Sequence, residues 1–143
     1  MRLTQHTDYA LRVLIFLAVS KQDRVRIRDI ALAYNISHHH LTKVVQQLQH
    51  RGFVTTVRGK GGGITLARSA ALINIGDLVR QIESAEYLVE CFSPNNQCVI
   101  TGACELPSIF NDAVEAFTAV LDKYTLEEIV CGRLPALQQA LKL

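Results

Sequence analysis

Residues 35–67 read NISHHHLTKVVQQLQHRGFVTTVRGKGGGITLA, and this stretch decides the fold. Leu41, Val44, Val45 and Leu48 recur at the i, i+3, i+4, i+7 spacing that gathers apolar side chains on one helical face. Ser37 stands just ahead as an N-cap candidate, because its hydroxyl can accept from an unpaired first-turn N–H. Gly52 follows the last turn, where a helix C-terminus favours glycine. Beyond it, FVTTV and ITL alternate as strands do, and RGKGGG between them makes a glycine-rich hairpin tip.

Upstream, VRIRDIALAY (25–34) places Ile27, Ile30, Ala31 and Tyr34 on one face of a short helix, with NIS as the turn that follows. TQHTDYALRVLIFLAV (4–19) carries Tyr9, Val13, Phe16 and Leu17 at helical spacing, with Leu11, Leu14 and Ile15 widening the stripe into a thoroughly buried first helix. Two helices, a turn, a third helix and a β-hairpin form the order of a winged helix-turn-helix. The expected fold is therefore mainly α with a small β-hairpin wing. In such a unit the helix after the turn enters the major groove of DNA and its first turns reach base edges. The candidates there are Ser37, His38, His39, His40, Lys43, Gln46 and Gln47, all able to bond bases or phosphates. Arg58, Gly59 and Lys60 form a narrow cationic tip suited to a minor groove. Arg2, Arg26 and Arg28 are further phosphate-contact candidates.

Charge supports this. Residues 1–76 hold eleven Lys/Arg against three Asp/Glu, a balance of +8, while 77–143 hold four against ten, a balance of −6. All five histidines lie in the basic part. A front that meets a polyanion and a back that does not is the simplest account. Three consecutive histidines do not suggest a metal site, because neighbours on a helix point in different directions. The glycine run lacks the G-x-x-x-x-G-K-[ST] pattern of a phosphate loop. No nucleophile–base pair or paired carboxylate suggests an enzyme. The apolar run VLIFLAV is too short for a membrane span, and Asp8 upstream with no small-residue cleavage site after it argues against a signal peptide. A cytoplasmic protein is expected, with reduced thiols.

Downstream, Asn74 is a plausible cap for a fourth helix, IGDLVRQIE (75–83). LPSIFNDAVEAFTAVLDKY (106–124) aligns Phe110, Ala113, Val114, Phe117, Val120, Leu121 and Tyr124 on one face of a long helix. So apolar a helix beyond a small domain needs a partner to cover it. TLEE (125–128) fits a capping box. PALQQALKL (135–143) reads as a tail prone to fray. Between the fourth and the long helix lies CFSPNNQCVITGAC, a loop with three of the four cysteines, Cys91, Cys98 and Cys104. Three thiolates on one loop suit an iron–sulfur cluster, zinc or redox chemistry. Zinc more often takes C-x2-C pairs with a fourth Cys or His nearby, and no histidine follows residue 50. Cys131, ending an apolar helix, reads as a buried thiol.

Along nearly its whole length the chain resembles the dimeric winged-helix iron–sulfur repressors typified by the nitric-oxide sensor NsrR and its relative IscR. The blocks that carry the likeness are LTQHTDYALR (3–12), ISHHHLTKVVQQLQHRGFV (36–54), VRGKGGGITLA (57–67), IGDLVRQIE, the three-cysteine loop and LDKYTLEEIV (121–130). TDYALR and YTLEEIV lean toward the NsrR branch. So does ELP (105–107), where IscR-like proteins place a histidine after the third cysteine. The resemblance implies a repressor of palindromic operators, with residues 1–76 as its DNA-binding domain. Residues 77–143 would then carry the cluster-binding loop and dimerisation helices of a homodimer. It implies one cluster per subunit, 2Fe–2S or 4Fe–4S, held by Cys91, Cys98, Cys104 and Asp8 of the other subunit, and reactive toward nitric oxide. The six residues between Cys91 and Cys98 exceed the four or five common in the family. Regulation by cluster status, as in IscR, and a redox protein using the same thiols are the alternatives.

Overall fold

In a computed structural model, residues 3–83 and 88–143 are described; Arg2 lies outside them. Seven helices and one hairpin follow in the order α1 (Gln5–Val19), α2 (Ile27–Tyr34), α3 (His38–His50), β1 (Val54–Val57), β2 (Gly63–Leu66), α4 (Ile75–Ile82), α5 (Leu106–Leu121), α6 (Leu126–Cys131) and α7 (Leu134–Leu141). The expected winged helix-turn-helix is present. Leu41, Val44, Val45 and Leu48 of α3 are buried against Ala10, Val13, Leu14 and Phe16 of α1 and Ile30 of α2. Each such fully buried side chain contributes on the order of 1.5–3 kcal/mol.

The turn between α2 and α3 is closed by Asn35, which is left-handed at φ 50°, a conformation asparagine tolerates better than most residues. Ile36 follows it into the core, donating its N–H to the Ala31 carbonyl at 2.9 Å. Ser37 occupies the N-cap position, yet its side chain makes no capping bond, contrary to expectation. Gly52 takes φ 73° after α3 and turns the chain into Phe53, which is fully buried.

The wing strands pair antiparallel in the register Val54–Leu66, Thr55–Thr65, Thr56–Ile64 and Val57–Gly63. Sequence did not reveal a third participant. Val25, between α1 and α2, bridges Ile64 with N–H to O distances of 3.0 and 2.8 Å. Gly63 makes this possible: a Cβ there would lie 2.8 Å from the Val25 carbonyl oxygen.

The back half returns to the same core. Leu126 and Val130 of α6 and Leu141 of α7 are buried with the α1–α3 residues. Asn74 caps α4 as expected, accepting from the Asp77 N–H at 2.9 Å. The Thr125–Glu128 capping box opens α6. The C-terminal segment is not a frayed tail but α7. Gln138 there donates to the Val19 carbonyl at 2.8 Å, an acceptor that α1 itself leaves unused at its end. By contrast α5 buries none of its residues. Ile109 and Val120 are 55% and 53% exposed, and Phe110, Val114 and Phe117 are half-buried.

Candidate nucleic-acid interface and thiol centre

The structure leaves Ser37 ahead of α3, and His38, His39, His40, Lys43 and Gln46 within it, exposed, whereas Gln47 is half-buried. The apolar positions of α3 face inward, which turns the polar ones outward; Gln49 is already engaged there, accepting from the Thr56 hydroxyl of β1 at 2.8 Å. Thr42 turns its hydroxyl back to the His38 carbonyl at 2.8 Å and is spent locally. Arg58, Gly59 and Lys60 are likewise exposed. Gly59 and Gly61 adopt φ 92° and 78°, which lets the tip turn tightly between the two cations. Arg26 and Arg28 are exposed at the start of α2. Arg24, which sequence did not single out, reaches the Gly61 carbonyl at 3.5 Å and so adds a third cation beside the tip.

Among the described residues all four cysteines are free thiols. Cys91 lies in a single 3-10 turn, Glu90–Phe92, and is half-buried; Cys98 is exposed and Cys104 half-buried. The loop is tied to itself. Asn96 accepts from the Cys98 N–H at 2.9 Å and donates to Thr101, whose hydroxyl donates to the Cys98 carbonyl at 2.9 Å. Gln97 donates its N–H to the Glu90 carboxylate at 3.2 Å. Beside these bonds Val99 projects almost wholly into solvent. Cys131 is exposed rather than buried: α6 has only six residues, its inward face is taken by Leu126 and Val130, and Cys131 falls past that face.

Asp8 sits in the first turn of α1, where a carboxylate is favoured by the helix dipole. Arg12 holds both of its oxygens, at 2.8 and 3.2 Å, and lies over the rings of Tyr9 and Tyr34. Burial pushes the Tyr34 phenol up to about 12, so it remains a neutral neighbour of this pair. Among the described residues of the single chain, no three Cys, His, Asp or Glu side chains are grouped to hold a metal ion. Three soft thiol donors on one accessible loop nevertheless fit an iron–sulfur cluster in kind. Any fourth ligand would have to come from outside the loop.

An exposed polar recognition helix, a cationic wing and a basic front define a winged helix-turn-helix regulator of transcription. The Rrf2 family, described as iron-dependent transcriptional regulators, matches residues 3–132, and the chain belongs to it. The HTH-type transcriptional regulator NsrR of Geobacillus kaustophilus is 47% identical over 135 residues, covering 93% of this chain and 92% of the relative. The NsrR of Bacillus subtilis is 49% identical over 132 residues, covering 91% and 90%. That of Halalkalibacterium halodurans is 41% identical over 145 residues, covering 100% and 99%. Among solved structures, CymR, the global cysteine regulator of B. subtilis, superposes with a TM-score of 0.72 at 26% identity, covering 92% of this chain and 97% of that one. IscR of T. potens gives a TM-score of 0.72 at 22% identity, covering 92% and 88%, a likeness of fold alone. The chain is accordingly a transcriptional regulator and not an enzyme. No described helix is long and apolar enough to cross a membrane.

Proposed function

We propose that the chain is a cytoplasmic, homodimeric repressor whose grip on a palindromic operator depends on an iron–sulfur cluster that senses nitric oxide, one cluster per subunit. The observation that carries this reading is the loop of three free thiols placed between a basic winged head and an uncovered apolar helix. The NsrR relatives support it over nearly the whole chain. Residues 1–76 act as the DNA-binding head, and 77–143 supply the thiol loop and the dimer helix.

Cys91, Cys98 and Cys104 would hold the cluster, with Asp8 of the partner subunit as fourth ligand. The bound cluster, 2Fe–2S or 4Fe–4S, supplies iron that reacts with nitric oxide. Asp8 then has two rival partners: Arg12 of its own helix, which engages both oxygens, and the thiol centre across the dimer. Which partner it serves fixes how α1, and with it the winged head, stands against the other subunit. Two heads read a palindrome only when their spacing matches the half-sites. His38, His39, His40, Lys43 and Gln46 then reach base edges together, while Arg58, Gly59 and Lys60 follow the minor groove.

The test is an absorbance spectrum of protein purified without oxygen, followed through a nitric oxide titration with operator binding measured in parallel. Visible bands that bleach in step with loss of operator binding support the proposal. A colourless protein, lacking iron and sulfide even after reconstitution, sinks it and moves the thiols to zinc or redox chemistry.

A further inference from the structure

Glu83 ends α4, eight positions ahead of Cys91, and its carboxylate leaves that helix to grasp the start of α1. One oxygen accepts from the Thr4 N–H at 2.6 Å and from the Thr4 hydroxyl at 2.9 Å, across 79 residues of sequence. Thr4 is the N-cap of α1. Its hydroxyl oxygen accepts from the Thr7 N–H at 3.3 Å, and its carbonyl accepts from the Asp8 N–H at 3.2 Å. The carboxylate therefore fixes the residue that closes the hydrogen-bonded ring around Asp8. A negative charge is favoured at this helix end, and the donors there lack partners within the helix.

We propose that Glu83 is a positioning residue: through Thr4 it sets the first turn of α1 so that Asp8 is aimed at the partner subunit's thiol centre. This rests on the reading of Asp8 as a ligand in trans. Ligand-orienting residues of this kind, when lost, typically lower metal affinity about 10- to 100-fold. The chemistry at stake is carboxylate ligation of an iron–sulfur centre. The α4 C-terminus is its support, so the segment leading to one subunit's cysteines also steadies the ligand given to the other's.

The test compares wild type, Asp8→Ala, Glu83→Ala, Glu83→Gln and the double variant Asp8→Ala/Glu83→Ala, as full-length dimers reconstituted without oxygen. Visible absorption, iron loss to a chelator and hydrogen exchange of α1 first-turn amides in the metal-free protein are read. The expectation is that Asp8→Ala changes the spectrum and that Glu83→Ala shifts it the same way with Asp8 still present. Iron loss should quicken about 10-fold or more, and first-turn amides should exchange faster. Glu83→Gln keeps an acceptor oxygen and should restore the spectrum in part. The double variant should match Asp8→Ala, since both act on one ligand. Should Glu83→Ala not fold, Glu83→Asp keeps the charge, withdraws its reach by one methylene and carries the same expectation. A wild-type spectrum and iron retention in the Glu83 variants, beside an altered Asp8→Ala, overturn the positioning role alone. So does an effect that adds fully to that of Asp8→Ala. A silent Asp8→Ala removes the ligand itself, and the positioning role with it.

Discussion

Single residues decide the close approaches in this molecule. Gly76, in the first turn of α4, faces the end of α5: a Cβ there would meet the Asp122 carboxylate, with its Cγ at 2.8 Å and the Asp122 backbone N at 2.9 Å. Arg80 holds that carboxylate at 2.7 and 2.9 Å, so it has little room to retreat. Gly76→Ala should therefore cost about 1–3 kcal/mol by overpacking, measured as a lower denaturant midpoint; no change would mean that Asp122 moves freely. Glu83 gives a pH signature. Partial burial pushes its carboxyl up, but the neighbouring Thr7 hydroxyl, the hydrogen bonds from Thr4 and the charge of His6 outweigh this and hold it below the usual range. A lowered folded-state pKa contributes stability above the unfolded value and loses it as pH falls through the folded one. Melting temperature should drop across the acid range in wild type and more gently in Glu83→Gln. Parallel acid limbs would show that other carboxylates dominate. Sequence gave little warning of either residue. Both act on partners 46 and 79 positions away, and no local pattern encodes such a distance.

Elements with a strong side-chain period are legible in the sequence. The i, i+3, i+4, i+7 stripe of α3 is buried as read, and the capping box at Thr125 closes as read. The Val25–Ile64 bridge was not legible, because it joins backbone groups and leaves no mark on side-chain pattern. α7 was misread for a related reason. Its value lies in Leu141 and Gln138 finding α1, which a terminal stretch with few charges does not announce. Cys131 was misplaced because a six-residue helix has one inward face, and adjacent positions turn by about 100°. At the wing the expected outcome is direct. Arg58→Ala should weaken operator binding and reduce the salt slope by about one counterion, with the visible spectrum intact. Unchanged affinity in a salt titration would remove the wing from the interface.

At the scale of the whole molecule the long apolar helix stands out, because it buries none of its residues. Three half-buried side chains, Phe110, Val114 and Phe117, and two mostly exposed ones, Ile109 and Val120, line α5. A surface of this kind marks an association site. Ile109→Glu should shift the protein from dimer to monomer in sedimentation, because a buried unpaired carboxylate is costly. Cys98→Ala should lose the visible chromophore yet sediment as wild type. A monomeric Cys98→Ala would show that thiol loop and dimer helix cannot be separated.

Covering this helix with a second chain would also tie the regulator to its own supply. If two chains must meet before α5 is covered, folding and assembly are one equilibrium, and stability depends on chain concentration. Well below the dimer dissociation constant, the amount of functional protein varies as the square of chain number. A cell that makes modestly less of the chain would then lose repression more than proportionally, with no chemical signal received.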